Sequence, residues 1–407
     1  METLRSIIKT KTTKAEIMNK PKALFIGFKR DYLNDQLKVI ISVLNQVFDL
    51  SFYGPGFTKE EILDKSIDDW ISKKEFDIIF MDDFCYVFDD YDEKKIFNLL
   101  DEAFVCHFDK NTFYRRVTEF MNFYKNYTKQ KVWICLRDFY NVKDEYTNYL
   151  NKSGGFYLSC FGYSLNYSVK EIKERHVNHP FFKISSINDN WFTFEIENKH
   201  KIISFPFAIA NNYFDFGVNQ NRRNRFSIVG VLYRERKSVI GLLNLKSKID
   251  IFSDVLLYRL RSLFRKNKMT PFILNKKKFR YKSLISNSTF CFCSGGPVDY
   301  PVRKYFEIPA NGSIPIGYKC NGFEHLGFKH GENFIEATTK EDVKKTINTL
   351  SSEEIVRISN NARSHIFNSH SEHARVKQME LTFKKIIDQT FHGSIWENGL
   401  YKFLNKN

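Results

Sequence analysis

Several features that would assign a chain like this one at sight are missing. Its seven cysteines, at 85, 106, 135, 160, 291, 293 and 320, contain no C-x-x-C pair. Most sit in apolar runs such as "VWICL" and "TFCFC". An odd count in that setting argues against a disulfide framework or a structural zinc site, and for buried free thiols in a reducing compartment. No apolar run approaches the roughly 18 residues that read as a membrane span, so none is expected. The opening "METLRSIIKTKTTKAEIMNK" has neither the apolar core nor the cleavage site of a secretory signal. A cytoplasmic protein is the expectation. Internal repeats, low-complexity segments and helix-turn-helix, zinc or RNP-type signatures are also missing.

What is present is a folded chain of 407 residues, 43% apolar and 27% charged. That length suggests two domains of ordinary size. The 41 phenylalanines and 21 tyrosines imply aromatic-rich cores. A formal charge of +16 points to anionic partners: nucleic acid, a membrane surface or a small phosphorylated substrate. Residues 259 to 282 concentrate it in Arg259, Arg261, Arg265, Lys266, Lys268, Lys276, Lys277, Lys278, Arg280 and Lys282. Two readings of that run stand open, a solvated basic face and attraction to anionic lipid head groups, both on the outside of the second domain.

Fully apolar strands alternate with amphipathic helices from "KALFIGF" onward, through "FDLSFYG", "FDIIFM", "KVWICLR" and "GGFYLSC". That alternation predicts a parallel sheet covered on both faces. A polar, Asn- and Arg-rich stretch follows, and the alternation then restarts with "FSIVGVL", "IDIFSDV", "TFCFCS", "SIPIGY" and "NFIEA". The fold class is therefore α/β, two Rossmann-like domains facing across a cleft. The expected division is a 1–20 extension, a 21–215 first Rossmann-like domain, a 216–385 second one and a 386–407 C-terminal helix returning towards the first domain. Thr338 with Glu341 and Ser351 with Glu354 have capping-box spacing.

The stretch "FCFCSGGPVDYPVRKYFEIPANGSIPIG" carries the chemistry. Its turn Ser294-Gly295-Gly296 lies at a predicted strand end, where open α/β sheets bind ligands and small residues allow close approach. Pro301 suits the first turn of a helix whose free N–H groups attract phosphate. Arg303 adds a cation capable of bidentate contact. Glu307 lies four residues beyond it on the same face, where it could accept hydrogen bonds from a ribose diol. Plainer readings stay open: Asp299 as a helix N-cap, Glu307 as a surface residue, Gly295 and Gly296 as a turn and nothing more.

Residues 281 to 385 resemble the C-terminal domain of GT-B glycosyltransferases of the group 1 type, most closely the spore-maturation glycosyltransferase-like subgroup. That pattern runs strand, small-residue turn, "R-x-x-E-x-x-A-x-G", strand. Here Arg303, Phe306, Glu307, Ala310 and Gly312 correspond, followed by "FEHLGFKHGENFIEA" and "NNARSHIFNSHSEHAR". The family's two acids, separated by seven residues, fall at Asp299 and Glu307, the first being Asp where the family has Glu. The resemblance extends to "FSIVGVLYRERKSVIGLL", where it implies that Arg234, Arg236 and Lys237 face the donor diphosphate; a plain helix start with surface charges is the alternative. It further implies a nucleotide sugar as substrate, with no metal and no cofactor.

An inverting transferase needs a general base on the first-domain side. Asp82 and Asp83 follow "FDIIFM" and Asp138 follows "KVWICLR", so Asp82 and Asp138 join Asp299 as candidate catalytic acids, each equally readable as a helix cap; His107 is a weaker choice. His365, His370 and His373 show no third metal ligand in reach. The expected function is transfer of a sugar from a nucleotide sugar to a glycan, lipid-linked or protein acceptor, with peripheral contact to an anionic membrane. The alternatives are a basic nucleic-acid-binding protein and a GT-B relative transferring a phosphoalditol.

Overall fold

The computed structural model of the protein describes residues 20–29, 35–59, 66–72, 74–86, 110–136, 142–160, 190–214, 221–230, 234–244, 269–295 and 300–406, with isolated positions between them. Among the described residues the strands of the first half begin with β1 (Lys22–Ile26), whose Ala23 to Ile26 are wholly buried. They continue with β2 (Asp49–Tyr53), β3 (Ile78–Asp82), β4 (Gln130–Cys135) and β5 (Phe156–Ser159). With β6 (Ile202–Ser204) they form one parallel sheet in the order β2-β1-β3-β4-β5-β6. Strands apolar on both faces need cover on both faces, which helices supply. Helix α1 (Asp35–Val47) turns Leu37, Val39, Ile40, Val43 and Leu44 into the core, while α2 (Ile67–Ile71), α3 (Lys110–Asn126), α4 (Asp144–Ser153) and α5 (Asn190–Glu197) complete this half.

The second half repeats the plan. Strands β7 (Asn224–Ile228), β8 (Ser288–Cys293), β9 (Ile314–Gly317) and β10 (Ile335–Glu336) form a parallel sheet in that order. The expected strand "IDIFSDV", like "FFKISS" in the first half, lies outside the described residues. The helices here are α6 (Arg234–Ser238), α7 (Met269–Ser286), α8 (Lys304–Ala310), α9 (Lys340–Thr349) and α10 (Ser352–His365). Gly317 ends β9 at φ +149°, and a Cβ there would strike the Cys293 carbonyl, so the ends of β8 and β9 can meet only through glycine. Two Rossmann-like sheets in succession, with their carboxyl ends brought together as described below, make the GT-B architecture.

The chain crosses back through a π-helical turn, Ile366–His370, into α11 (Glu372–Ile387), which packs along α1. The expected helix over 386–407 is a correction. Helix α11 ends at Ile387, Gln389 takes φ 56°, and the tail becomes the antiparallel hairpin β11 (Ser394–Glu397) and β12 (Leu400–Phe403). Its Trp396 and Ser394 are wholly buried against the β6 side of the first sheet, an anchoring that helical spacing would not give. The described cysteines, 85, 135, 160, 291, 293 and 320, are buried free thiols.

Candidate functional site

At the carboxyl edge of the second sheet, β7 leads to Gly230, held at φ +89°. A methyl group there would collide with the end of the Lys304 side chain and stand 3.4 Å from Arg236 Nη1. Lys304, the first residue of α8, therefore lies over the Gly230 backbone with the Arg236 guanidinium beside it. Glu235 and Arg236, both from α6, are each 1% exposed. The Ser294 hydroxyl, just past β8, donates to Glu235 Oε1 at 2.5 Å, and Glu235 Oε2 is buried without a hydrogen-bond partner among the described residues. Gly295 follows, also buried. Lys304 keeps part of its surface accessible, yet protein atoms crowd it; that burial first, and the neighbouring Arg236 charge second, push its pKa down to about 7.

One turn further along α8, the Glu307 side chain is 8% exposed. It accepts hydrogen bonds from the Tyr281 hydroxyl at 2.7 Å and the Tyr213 hydroxyl at 3.3 Å. Arg303 Nε stands 2.9 Å from Glu307 Oε1 as an ion pair, not as an aligned hydrogen bond. Arg303 Nη1 meets Asp35 Oδ2 at 2.9 Å, and Lys278 Nζ reaches the other Asp35 oxygen at 3.2 Å. Asp35 begins α1, beyond β1, so the carboxyl edges of the two sheets are joined through one chain of charges. Burial pushes the Asp35 carboxyl up, but Arg303 and Lys278 outweigh it and leave the pKa below the usual value. Burial, then the Glu307 charge, pushes the Tyr281 and Tyr213 phenols up, so both remain donors at neutral pH.

The expected residues are thus distributed unevenly. Arg236 and Gly295 lie in the strand-edge cluster; Arg303 and Glu307 lie beside it. Lys237 is exposed, and Arg234 is the first residue of α6. The helix expected to open at Pro301 starts at Lys304 and has seven residues. Asp82 is 0% exposed, and its carboxylate accepts from the Phe84 amide at 3.2 Å to start a 3-10 turn, the capping role also open to it in the sequence. Asp83 accepts from the Leu136 amide at 2.8 Å and fixes the end of β4. Gly296, Asp299, Asp138 and His107 lie outside the described residues.

Where the basic run is described, Lys276 and Lys278 are exposed, yet Lys278 pairs with Asp35 and Lys282 sits 4.8 Å from the Tyr213 ring centre, so part of the run reaches the first half. Of the histidines, His370 has a structural place. His370 is wholly buried; its Nδ1 accepts from Arg375 Nη2 at 3.0 Å and its Nε2–H donates to the Leu326 carbonyl at 2.9 Å, which fixes the neutral tautomer. Among the described residues no group of three His, Cys, Asp or Glu could hold a metal ion, and no helix is long and apolar enough to cross a membrane.

Sequence reading missed Lys304, Glu235, Tyr213, Tyr281 and Asp35. For Lys304 a signal existed, because the pattern "R-x-x-E" sets its basic residue three places before the glutamate. That place is Lys304, whereas Arg303 stands four before. The tyrosines reach Glu307, and Asp35 reaches Arg303, from separate elements, and nothing in their local sequence marks them.

No protein-family model matches the sequence, and no curated protein matches it. Among solved structures it is similar to a glycosyltransferase from Rickettsia africae, at 11% identity over 91% of this chain and 99% of that one, TM-score 0.46. It is similar to Anabaena HepE in complex with UDP, at 10% identity over 89% of this chain and 100% of that one, TM-score 0.46. It is also similar to the lipopolysaccharide outer core galactosyltransferase WaaB, at 11% identity over 91% of this chain and 100% of that one, TM-score 0.40.

Proposed function

We propose that this chain is a GT-B glycosyltransferase of the group 1 type, nearest the spore-maturation glycosyltransferase-like subgroup, that moves a sugar from a nucleotide sugar to a glycan, lipid-linked or protein acceptor. The observation that carries this reading is the meeting of two cations, Arg236 and Lys304, with the buried carboxylate Glu307 at the carboxyl edge of one parallel sheet. Ligands of open α/β sheets bind at that edge. Fixed cations there suit a diphosphate whose charge grows as the sugar leaves, with no metal required. Glu307 suits the ribose diol, for which it would exchange the Tyr213 hydroxyl, the longer of its phenol contacts at 3.3 Å. Gly295 would border the diphosphate or sugar, and Arg303 would brace Glu307. Asp299 and Asp138 remain the proposed acids of catalysis, the protein is proposed to act in the cytoplasm, and peripheral contact with an anionic membrane belongs to the same proposal. Nucleic-acid binding is disfavoured because the sequence carries no helix-turn-helix, zinc or RNP-type signature.

The test is turnover. The intact protein is incubated with UDP-, GDP- and ADP-linked sugars, water taking the sugar where no acceptor is supplied, and release of nucleoside diphosphate is followed with and without EDTA. Release from at least one donor, unaffected by EDTA, is expected; no release from any donor would refute the reading.

A further inference from the structure

The amino edge of the first sheet faces away from the joined carboxyl edges, and sugar transfer as proposed above makes no use of it. A cavity of about 440 Å³ opens there, between the end of α3, the first residues of β4 and β5, and the 3-10 turn Lys199–Lys201 that leads into β6. Phe391, from the tail after α11, lines it too and meets Phe156 edge to face at 5.6 Å. Gly155 belongs to the same lining at φ +94°, where a Cβ would strike the Lys131 side chain and carbonyl, so only glycine fits.

No carboxylate lines this cavity; its charged and titratable groups are Lys129, Lys131, Lys201, His200 and the Tyr127 phenol. Lys131 is engaged within the fold. Its Nζ donates to the carbonyls of Tyr124, Lys125 and Tyr127 at 2.8, 3.2 and 2.9 Å, which caps the negative end of α3. An anion in the cavity therefore meets no bare helix C-terminus. Lys129 is exposed and Lys201 half-buried, and neither makes an ion pair among the described residues. The amides of Thr128 and Lys129, just past α3, make no backbone hydrogen bond among the described residues, which leaves two N–H donors in the same lining. His200 reports the same one-signed field: burial first, then the Lys201 and His392 charges, lower its pKa. A concavity ringed by charge of one sign focuses the field on anions.

We propose that this cavity is a second, non-catalytic binding site, for a phosphate monoester whose anionic head lies on Lys129 and Lys201 and whose apolar portion lies along Phe156 and Tyr127. The inference is independent of the nucleotide-sugar reading. Two ammonium groups and nearby free amides suit a phosphate dianion. Phe156 and Tyr127 are half-buried, so each keeps ring surface that a bare inorganic ion would leave wet and an ester group would cover. Soluble metabolites and lipid head groups both carry such a phosphate, and the test separates these sources.

The experiment is calorimetric titration of inorganic phosphate and of phenyl phosphate into the intact protein, beside co-sedimentation with phosphatidylcholine vesicles that contain or lack phosphatidic acid. Phenyl phosphate should bind about fivefold tighter than inorganic phosphate, through the ring surface it covers. Both should bind more weakly as salt rises. The double variant Lys129→Met, Lys201→Met should lose about tenfold or more in affinity for phenyl phosphate, whereas Lys129→Arg with Lys201→Arg, still charged, should keep it. The donor edge is unaltered in both variants, so binding there cannot imitate the loss. Thermal melts confirm that each is folded. Phenyl phosphate binding lost in the Met variant supports the site with a soluble ligand. Sedimentation only with phosphatidic acid vesicles, lost in the same variant, supports it with a lipid head group as the source. Equal affinity of the wild type and the Met variant for phenyl phosphate, or no binding of phosphate in any form, overturns the inference.

Discussion

Arg236 and Lys237 are adjacent in sequence, yet one is 1% exposed beside Lys304 and the other is exposed. Arg236→Ala should therefore weaken nucleoside diphosphate binding by tenfold or more, about 1.4 kcal/mol, while Lys237→Ala leaves it unchanged. Equal effects in the two variants, read by calorimetry, would make the cluster a general field and not a site. Glu307→Gln should lower donor affinity at least tenfold, because a charged acceptor of ribose hydroxyls contributes about 1.5–3 kcal/mol per bond. The folded variant binding like the wild type would remove Glu307 from the ribose. The sequence pointed to Glu307 through its spacing from Arg303 and Asp299, and to Arg236 as one of three basic residues with Arg234 and Lys237. It could not point to Tyr281 or Tyr213, which come from α7 and from the connector after β6 and meet Glu307 only once the two sheets are placed.

Individual elements were legible where the local pattern is self-sufficient. The Ser351–Glu354 capping box is present as expected. The box at the start of α9 falls one residue later than expected, on Thr339 and Asp342, because both registers of "TTKED" satisfy the spacing. Thr338 lies outside the helix, where its carbonyl accepts from the Tyr318 hydroxyl. The π-helical turn before α11 could not be read, because its cause is tertiary: His370 is clamped by Arg375, Leu326 and the Trp396 ring, whose centre is 4.7 Å away. Burial there pushes His370 well below the ordinary histidine value and His365 down to about 4. Since both folded values lie below the unfolded one, the unfolded chain binds protons first as pH falls. Their contribution to stability is whole above about pH 6.5 and is lost as pH drops from there towards 4. The melting temperature should hence fall between pH 7 and 5, and His365→Gln should make that fall shallower. An identical slope in the variant would show that the loss arises elsewhere.

At the scale of the molecule, the order of apolar strands and amphipathic helices was enough to read two Rossmann-like halves, because parallel strands need continuous apolar runs. How the halves meet was not legible. Asp35, Arg303 and Lys278 join them through side chains 35%, 19% and 48% exposed, so the chain of charges contributes little to stability, under about 1 kcal/mol. Its effect should instead be on the spacing of the halves. Asp35→Asn should change the melting temperature little yet enlarge the radius of gyration in small-angle scattering without ligand, and unchanged scattering would show that the apolar contact of Phe207 with Phe306 suffices. The central claim, that the second sheet's carboxyl edge holds a nucleoside diphosphate, is tested most directly by difference density. Crystals soaked with the tightest-binding nucleoside diphosphate should show its phosphates against Arg236 and Lys304 and its ribose at Glu307. Density for the nucleotide elsewhere, with that edge unchanged, would contradict it.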